Sequence, residues 1–338
     1  MIQSPTCLVI TMTSSIGNSF LSFLGVKLFS LNPSLMEEPP AGLEVTGNDI
    51  CFFGPNGERD VDSVTFCREL PDGKRALLGS WYLSPERHVA EGLFFFILFI
   101  GCVMATYSKL AKRPGLATPP SLVIRLLTGF CFFTTLAYKI VGYSGKILFF
   151  VMPCNVSWSL AFLVCFYPNL SAHASHVLCQ LIFASIGLCV LAIAAPDTSD
   201  LILPGEISFF FFSHYSLLMI PIFHTTSGHL STLPDSTQNE GWVSCFFKWT
   251  LYTTGMTGLF YFCFVTILSI FSGHNLNYML SPPPTPGNFI DGPNFRVMSA
   301  ACIFILFAVT RILGMMIGIM VKFLTQLKVA SKKTSKIA

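Results

Sequence analysis

The sequence predicts an all-α fold, a polytopic helical bundle set in a membrane, and three observations carry the prediction. Only 11% of the 338 residues are charged, against about 25% in soluble domains, too few to dress a soluble surface. The chain is 52% hydrophobic and holds 34 phenylalanines. Its apolar residues gather into runs of about 20, the length that spans a hydrocarbon core of about 30 Å.

The charges are unevenly placed. Residues 1–90 hold 6 Lys+Arg and 10 Asp+Glu, and residues 91–338 hold 14 and 7. An acidic N-terminal region therefore precedes an apolar body, and no basic patch supports nucleic-acid binding.

Residues 1–90 read as a polar, loop-rich region on the luminal side. Within it, residues 7–30 dilute the apolar run Cys7 to Met12 with Ser14, Ser15, Asn18, Ser19 and Ser22, which favours an interfacial helix over an extra span. No basic n-region precedes that run, so a signal peptide is not indicated. Cys51 and Cys67 stand at a spacing that a disulfide closes in an oxidising compartment.

The bundle occupies residues 91–325, with about seven spans expected at 92–108, 121–141, 147–167, 176–195, 205–224, 249–272 and 297–323. Helix breakers punctuate them: Pro114, Pro119 and Pro120 after the first, Pro168 after the third, Pro196 after the fourth and Pro282 to Pro286 before the last. Residues 326–338 form a basic tail. Lys109, Lys112, Arg113 and Arg125 around the first connection and Lys322 to Lys336 after the last span place both on the cytosolic side. Lys139 and Lys146 weigh against this arrangement, but weakly. The sequons at Asn155 and Asn169 fall within a span and at its cytosolic end and should carry no glycan. The chain is expected to be a multi-pass protein with a luminal N-terminal region and a cytosolic C terminus; its residues name no organelle, the endoplasmic reticulum and Golgi being two that fit.

Common signatures of soluble enzymes are missing: no G-x-S-x-G, Walker A, H-E-x-x-H or C-x-x-C pattern occurs. His173-x-x-His176, His224 and His229 have no carboxylate or thiolate cluster beside them and read as ordinary polar residues, so no metal and no cofactor is expected. Only 7 acids follow residue 90, all at span ends or in loops, and no buried carboxylate is expected for acid or base work.

Polar residues within spans are costly in lipid and tend to face a cavity or a partner. Cys154, Asn155, His214 and Arg311 form that set. Cys154 lies about 8 residues from the luminal end of its span and His214 about 9 from the luminal end of its own, so each is roughly 12–14 Å deep on the same side. Pro153 is expected to kink span three and free the carbonyl of Phe149. Phe150, Ser157 and Trp158 around Cys154, and Phe210, Phe211, Leu217 and Leu218 around His214, are expected to line an apolar slot. In such a site an imidazole can take the proton of a thiol, and the thiolate can attack an ester carbonyl to form a thioester. Arg311 reads as structural or as a ligand for a phosphate headgroup.

Three stretches go further: Met152-Pro153-Cys154; Leu203-Pro204-Gly205-Glu206 with Ser213-His214 and Ile220-Pro221-Ile222; and Asn275-Leu276-Asn277-Tyr278-Met279-Leu280-Ser281-Pro282 with Asp291-Gly292-Pro293-Asn294-Phe295-Arg296. Over approximately residues 80–325 the chain resembles the transmembrane protein 164 family of membrane acyltransferases. The resemblance implies an enzyme that moves polyunsaturated acyl chains between phospholipids, notably onto lyso ether lipids, without acyl-CoA. It also implies Cys154 as nucleophile and His214 as base. Its partners are then phospholipid and lyso-phospholipid in the bilayer, and Asn155 and Asn277 are candidate oxyanion donors. Span seven departs from the family pattern, with Ala300, Ala301, Cys302 and Ile303 where polar residues are expected, which bears on substrate choice.

Two other readings fit the sequence. A lipid ester hydrolase would use water in place of the lyso-lipid. A non-enzymatic seven-span lipid transporter or receptor would use neither, although span three ends on Cys165-Phe166-Tyr167 and not D-R-Y, and span seven has no N-P-x-x-Y.

Overall fold

The computed structural model describes residues 85–334, except 111, 143–145, 197, 199–200, 236–238, 273–274 and 281–293, and before them Leu21, Leu24 and the backbone of three short strands. Apart from Leu21 and Leu24, the expected interfacial helix at 7–30 falls outside those described residues, as do the side chains of Cys51 and Cys67 and the last four residues of the tail.

Strands β1 (Ile50–Phe52), β2 (Val64–Glu69) and β3 (Arg75–Leu77) form an antiparallel sheet in that order. Cys51 pairs with Thr65 in register, and Cys67 with Leu77. The sheet lies within the region read as loop-rich, and Val64, Thr65 and Phe66 have the branched and aromatic side chains that suit a pleated surface.

The helices are α1 (Pro85–Tyr107), α2 (Leu122–Val141), α3 (Pro153–Phe166), α4 (Ala172–Ala184), α5 (Ile186–Ala194), α6 (Glu206–Thr226), α7 (Trp242–Gly258), α8 (Thr266–Ser272) and α9 (Phe295–Thr334). The segments Arg87–Tyr107, Leu122–Val141, Ala172–Ala194, Glu206–Thr226, Trp242–Ser272 and Phe295–Leu327 are each long and apolar enough to cross a membrane. The protein is an integral, multi-pass membrane protein. Expected span three differs from the other six: a 3-10 helix (Lys146–Val151) leads into α3, whose 14 residues cover only about 21 Å. Proline is the reason, because it suits the first turn of a helix far better than the middle of one.

Two of the four apolar clusters among the described residues bear on the site. Phe95 and Phe99 of α1, Phe149, Phe262, Leu276 and Phe307 of α9 form one; Ile124, Cys131, Trp158, Ala161, Leu217 and Ile220 join α2, α3 and α6 in the other. The first depends on a close approach of α1 to α7, since a Cβ on Gly258 would lie 2.5 Å from ring carbons of Phe99. Between α7 and α8 the helix widens into a π turn, Leu259–Val265. Leu93, Phe94, Phe96 and Ile97 of α1 and Val123, Leu126 and Phe130 of α2 point outward, which is the arrangement lipid demands and water penalises.

Candidate active site

The local chain explains where Cys154 sits. Pro153 has no N–H to lose and occupies the first turn of α3, with Met152 as the preceding cap. The expected mid-span kink is instead a helix start, and the carbonyl of Phe149 is not left free. It accepts from the Met152 N–H at 3.2 Å and from Nδ2 of buried Asn155 at 3.0 Å. Cys154 therefore stands in the first turn, where the aligned peptide dipoles favour negative charge. Its Sγ lies 3.6 Å from Oδ1 of Asn155.

The L-P-G-E run builds the opposite wall. Gly205 has φ +77°, a left-handed conformation suited to glycine, and it turns the chain into α6. The Tyr138 hydroxyl donates to the Pro204 carbonyl at 3.1 Å. Glu206 accepts from the Leu203 N–H at 3.1 Å and is ion-paired with Lys146 at 2.7 Å, both side chains being buried. Two turns further on, His214 is also buried. Its Nδ1 lies 2.7 Å from the carbonyl oxygen of Phe210. A carbonyl only accepts, so Nδ1 carries the proton and Nε2 keeps its lone pair. That Nε2 is buried and has no hydrogen-bond partner, a condition that ordinarily costs about 1–3 kcal/mol.

Cys154 and His214 line one cavity of ≈ 90 Å³, together with Thr135, Tyr138, Lys139, Met152, Asn155, Leu201, Glu206, Phe209, Phe210 and Ser213. The expectation of no buried carboxylate is overturned: Glu206 is 3% exposed and lines this cavity. It is at a span end, but Lys146 neutralises it and lets it be buried. Lys139 and Lys146 are themselves buried, so they behave as interior groups and not as loop charges. Of the expected apolar lining, Phe210 takes part. Trp158 and Leu217 are core residues, Ser157 bonds to the Pro153 carbonyl and to Ser185, and Phe150 packs edge-on against Phe132.

The other candidates lie elsewhere. Asn277 has φ +50° in a 3-10 turn (Leu276–Tyr278) and does not line the cavity. Arg311 is buried, donates to Oε1 of Gln180 at 2.5 Å and stacks over the rings of Phe183 and Trp249. Gln180 in turn donates to the Ser231 carbonyl at 2.7 Å and contacts Nε2 of His176 at 3.2 Å. These residues tie α4 to α9 and to the loop after α6. Among the described residues, no group of three or more His, Cys, Asp or Glu is arranged to hold a metal ion.

Sequence reasoning missed what buttresses the cavity. Leu276 and Met279 of the N-L-N-x-M-L run pack into the cluster that contains Phe149, with Val151 and Met152 against it, so this run braces the segment leading into Cys154. Arg296 holds the run in place. Its Nε donates to the Met279 carbonyl at 2.7 Å, Nη2 meets Nδ1 of His88, and Nη1 pairs with Glu91 at 3.2 Å. Arg87 also pairs with Glu91, at 2.8 Å, and donates to Oδ1 of Asn294. An arginine at the start of the last apolar run, just after a proline-rich stretch of sequence, was the signal that could have revealed this clamp.

The family model described as "TMEM164 family" matches residues 82–314. A curated protein, "Transmembrane protein 164 homolog" of Dictyostelium discoideum, is 27% identical over 240 residues, which is 67% of this chain and 82% of that protein. No solved structure matches the chain.

Proposed function

The chain belongs to the TMEM164 family, and from that premise we propose that it is a membrane acyltransferase that moves a fatty acyl chain from one phospholipid to a lyso-phospholipid through a thioester on Cys154. The observation that carries the reading is that His214, whose Nε2 is buried and without a hydrogen-bond partner, lines the cavity that Cys154 also lines. An imidazole held by a backbone carbonyl at Nδ1 is a base ready at Nε2.

In the first half-reaction the Cys154 S–H proton passes to Nε2 of His214, and the thiolate attacks the ester carbonyl carbon of the donor. The bond from that carbon to the glycerol oxygen breaks. His214 returns the proton to the departing oxygen, releasing lyso-phospholipid and leaving the acyl group on sulfur. In the second, the acceptor hydroxyl gives its proton to Nε2 and attacks the thioester. The carbon–sulfur bond breaks and the thiol is restored. The start of α3 stabilises the thiolate, the energy of the chain is conserved in the thioester, and acyl-CoA is not required. Asn155 is close enough to orient the sulfur, and Lys146 offsets the charge of Glu206 on the cavity wall.

The test is transfer of a labelled acyl chain from phosphatidylcholine in membranes containing the protein, with and without an added lyso ether phospholipid. The expected product is labelled diacyl or ether phospholipid that depends on the acceptor, reduced to background by Cys154→Ala. Labelled free fatty acid irrespective of acceptor would identify a hydrolase, and full turnover in Cys154→Ala would overturn the nucleophile.

A further inference from the structure

Two phenylalanine carbonyls orient the two reacting groups. That of Phe210 accepts from Nδ1 of His214 at 2.7 Å and fixes the ring. That of Phe149 accepts from Nδ2 of Asn155 at 3.0 Å, and Oδ1 of the same amide accepts from the Cys154 thiol at 3.6 Å. The carbonyls belong to separate pieces of chain. One is in the start of α6, the other in the 3-10 helix that precedes α3.

A buried ion pair joins those pieces. Lys146 opens the 3-10 helix, Glu206 opens α6, and Nζ lies 2.7 Å from each carboxylate oxygen. Lys146 is one 3-10 turn before Phe149, and Glu206 is one α-helical turn before Phe210. Glu206, Phe210 and His214 therefore share a face of α6, and all three line the cavity with Cys154.

Both partners are held in place. The Leu203 N–H donates to Oε2 of Glu206 at 3.1 Å. Gly142 has φ −67°, which any residue adopts, yet a Cβ there would run into Cδ of Lys146. The side chain missing at Gly142 is thus the path of the buried lysine stem. Such a pair contributes little more to stability than apolar groups of the same size would, but it holds two segments at one separation.

We propose that Lys146 and Glu206 are positioning residues, whose ion pair sets the separation of Cys154 Sγ and His214 Nε2 through the two phenylalanine carbonyls. The assignment rests on the acyl-transfer reading above. Neither residue takes part in the proton transfers. The pair matters because misplacing a reacting group by about 1 Å costs on the order of 10²-fold in rate.

The experiment uses the full chain in membranes and follows acyl-enzyme formation from labelled phosphatidylcholine at several donor concentrations. The double variant Lys146→Met/Glu206→Gln removes both charges together, leaves neither uncompensated, and should keep a thermal midpoint close to that of the unaltered protein. Its maximal rate should nevertheless fall about 10- to 100-fold, with the half-saturating donor concentration changed by no more than about twofold. Gly142→Ala, which removes no charge and displaces the lysine stem, should slow the reaction in the same way. A second readout needs no lipid: the pH profile of Cys154 alkylation by iodoacetamide, mapped by mass spectrometry. In the double variant that profile should match the one in His214→Gln and differ from that of the unaltered protein. Full-rate acylation in the double variant or in Gly142→Ala, or an alkylation profile left unaltered in the double variant, would overturn the positioning role. If the unaltered protein forms no acyl-enzyme, the acyl-transfer reading fails, and the alkylation profile still decides whether the pair couples the thiol to the imidazole.

Discussion

Cys154 differs from the other thiols of the bundle in its surroundings. Cys131 and Cys189 are packed into the core, whereas Cys154 is half-buried on the wall of a cavity with an imidazole in it. The difference was partly legible in the sequence, since a cysteine and a histidine at one depth in two apolar spans are visible without coordinates. Glu206 was not legible, because its burial depends on Lys146, 60 residues away, and no local pattern records that partner. Arg311 was visible as a mid-span charge, but its partner Gln180, 131 residues away, was not. At this scale the account predicts that His214→Gln slows acyl-enzyme formation by about 10²–10⁴-fold, the usual worth of a general base. Cys154 should still react with a small maleimide in that variant. Unchanged acylation kinetics, measured by quenched time courses, would remove His214 from the mechanism.

At the scale of the element, the helices most easily read from sequence were those with uninterrupted apolar runs, such as α1, α2 and α6. Span three resisted because its composition is that of a span while Pro153 makes it two pieces. The consequence is functional: a broken helix presents its first turn, with Cys154, inside the bundle. The clamp around Arg296 serves the same end, joining the first two turns of α1 to the first turn of α9 and to the Leu276–Leu280 turn that braces Phe149 and Met152. Removing one partner from a buried ion pair leaves the other charge uncompensated, at a cost of about 3–5 kcal/mol. Glu91→Ala and Arg296→Met should therefore lower the thermal midpoint of the detergent-solubilised protein clearly. Lys322→Met, at an exposed position of α9, should change stability by no more than about 0.5 kcal/mol. A midpoint in Arg296→Met equal to that of Lys322→Met would show that the clamp does not hold the bundle together.

For the whole molecule, the scarcity of charge that identified a membrane protein also organises its interior. Among the described residues, buried charges are paired or capped, as Lys146 is with Glu206, Lys248 with Glu240, Arg296 with Glu91 and Arg311 with Gln180, and Lys139 lies over the Phe149 ring. Bilayer and bundle were legible because hydropathy is a property of runs of residues. The cavity was not, because it is made where α2, α3 and α6 meet. The most direct measurement is tandem mass spectrometry of the protein after incubation with phosphatidylcholine and no acceptor. The account predicts an acyl group on the peptide that contains Cys154, at the sulfur and released by hydroxylamine. An acyl group located on any other residue, or acyl transfer that proceeds with Cys154 unmodified throughout, would contradict it.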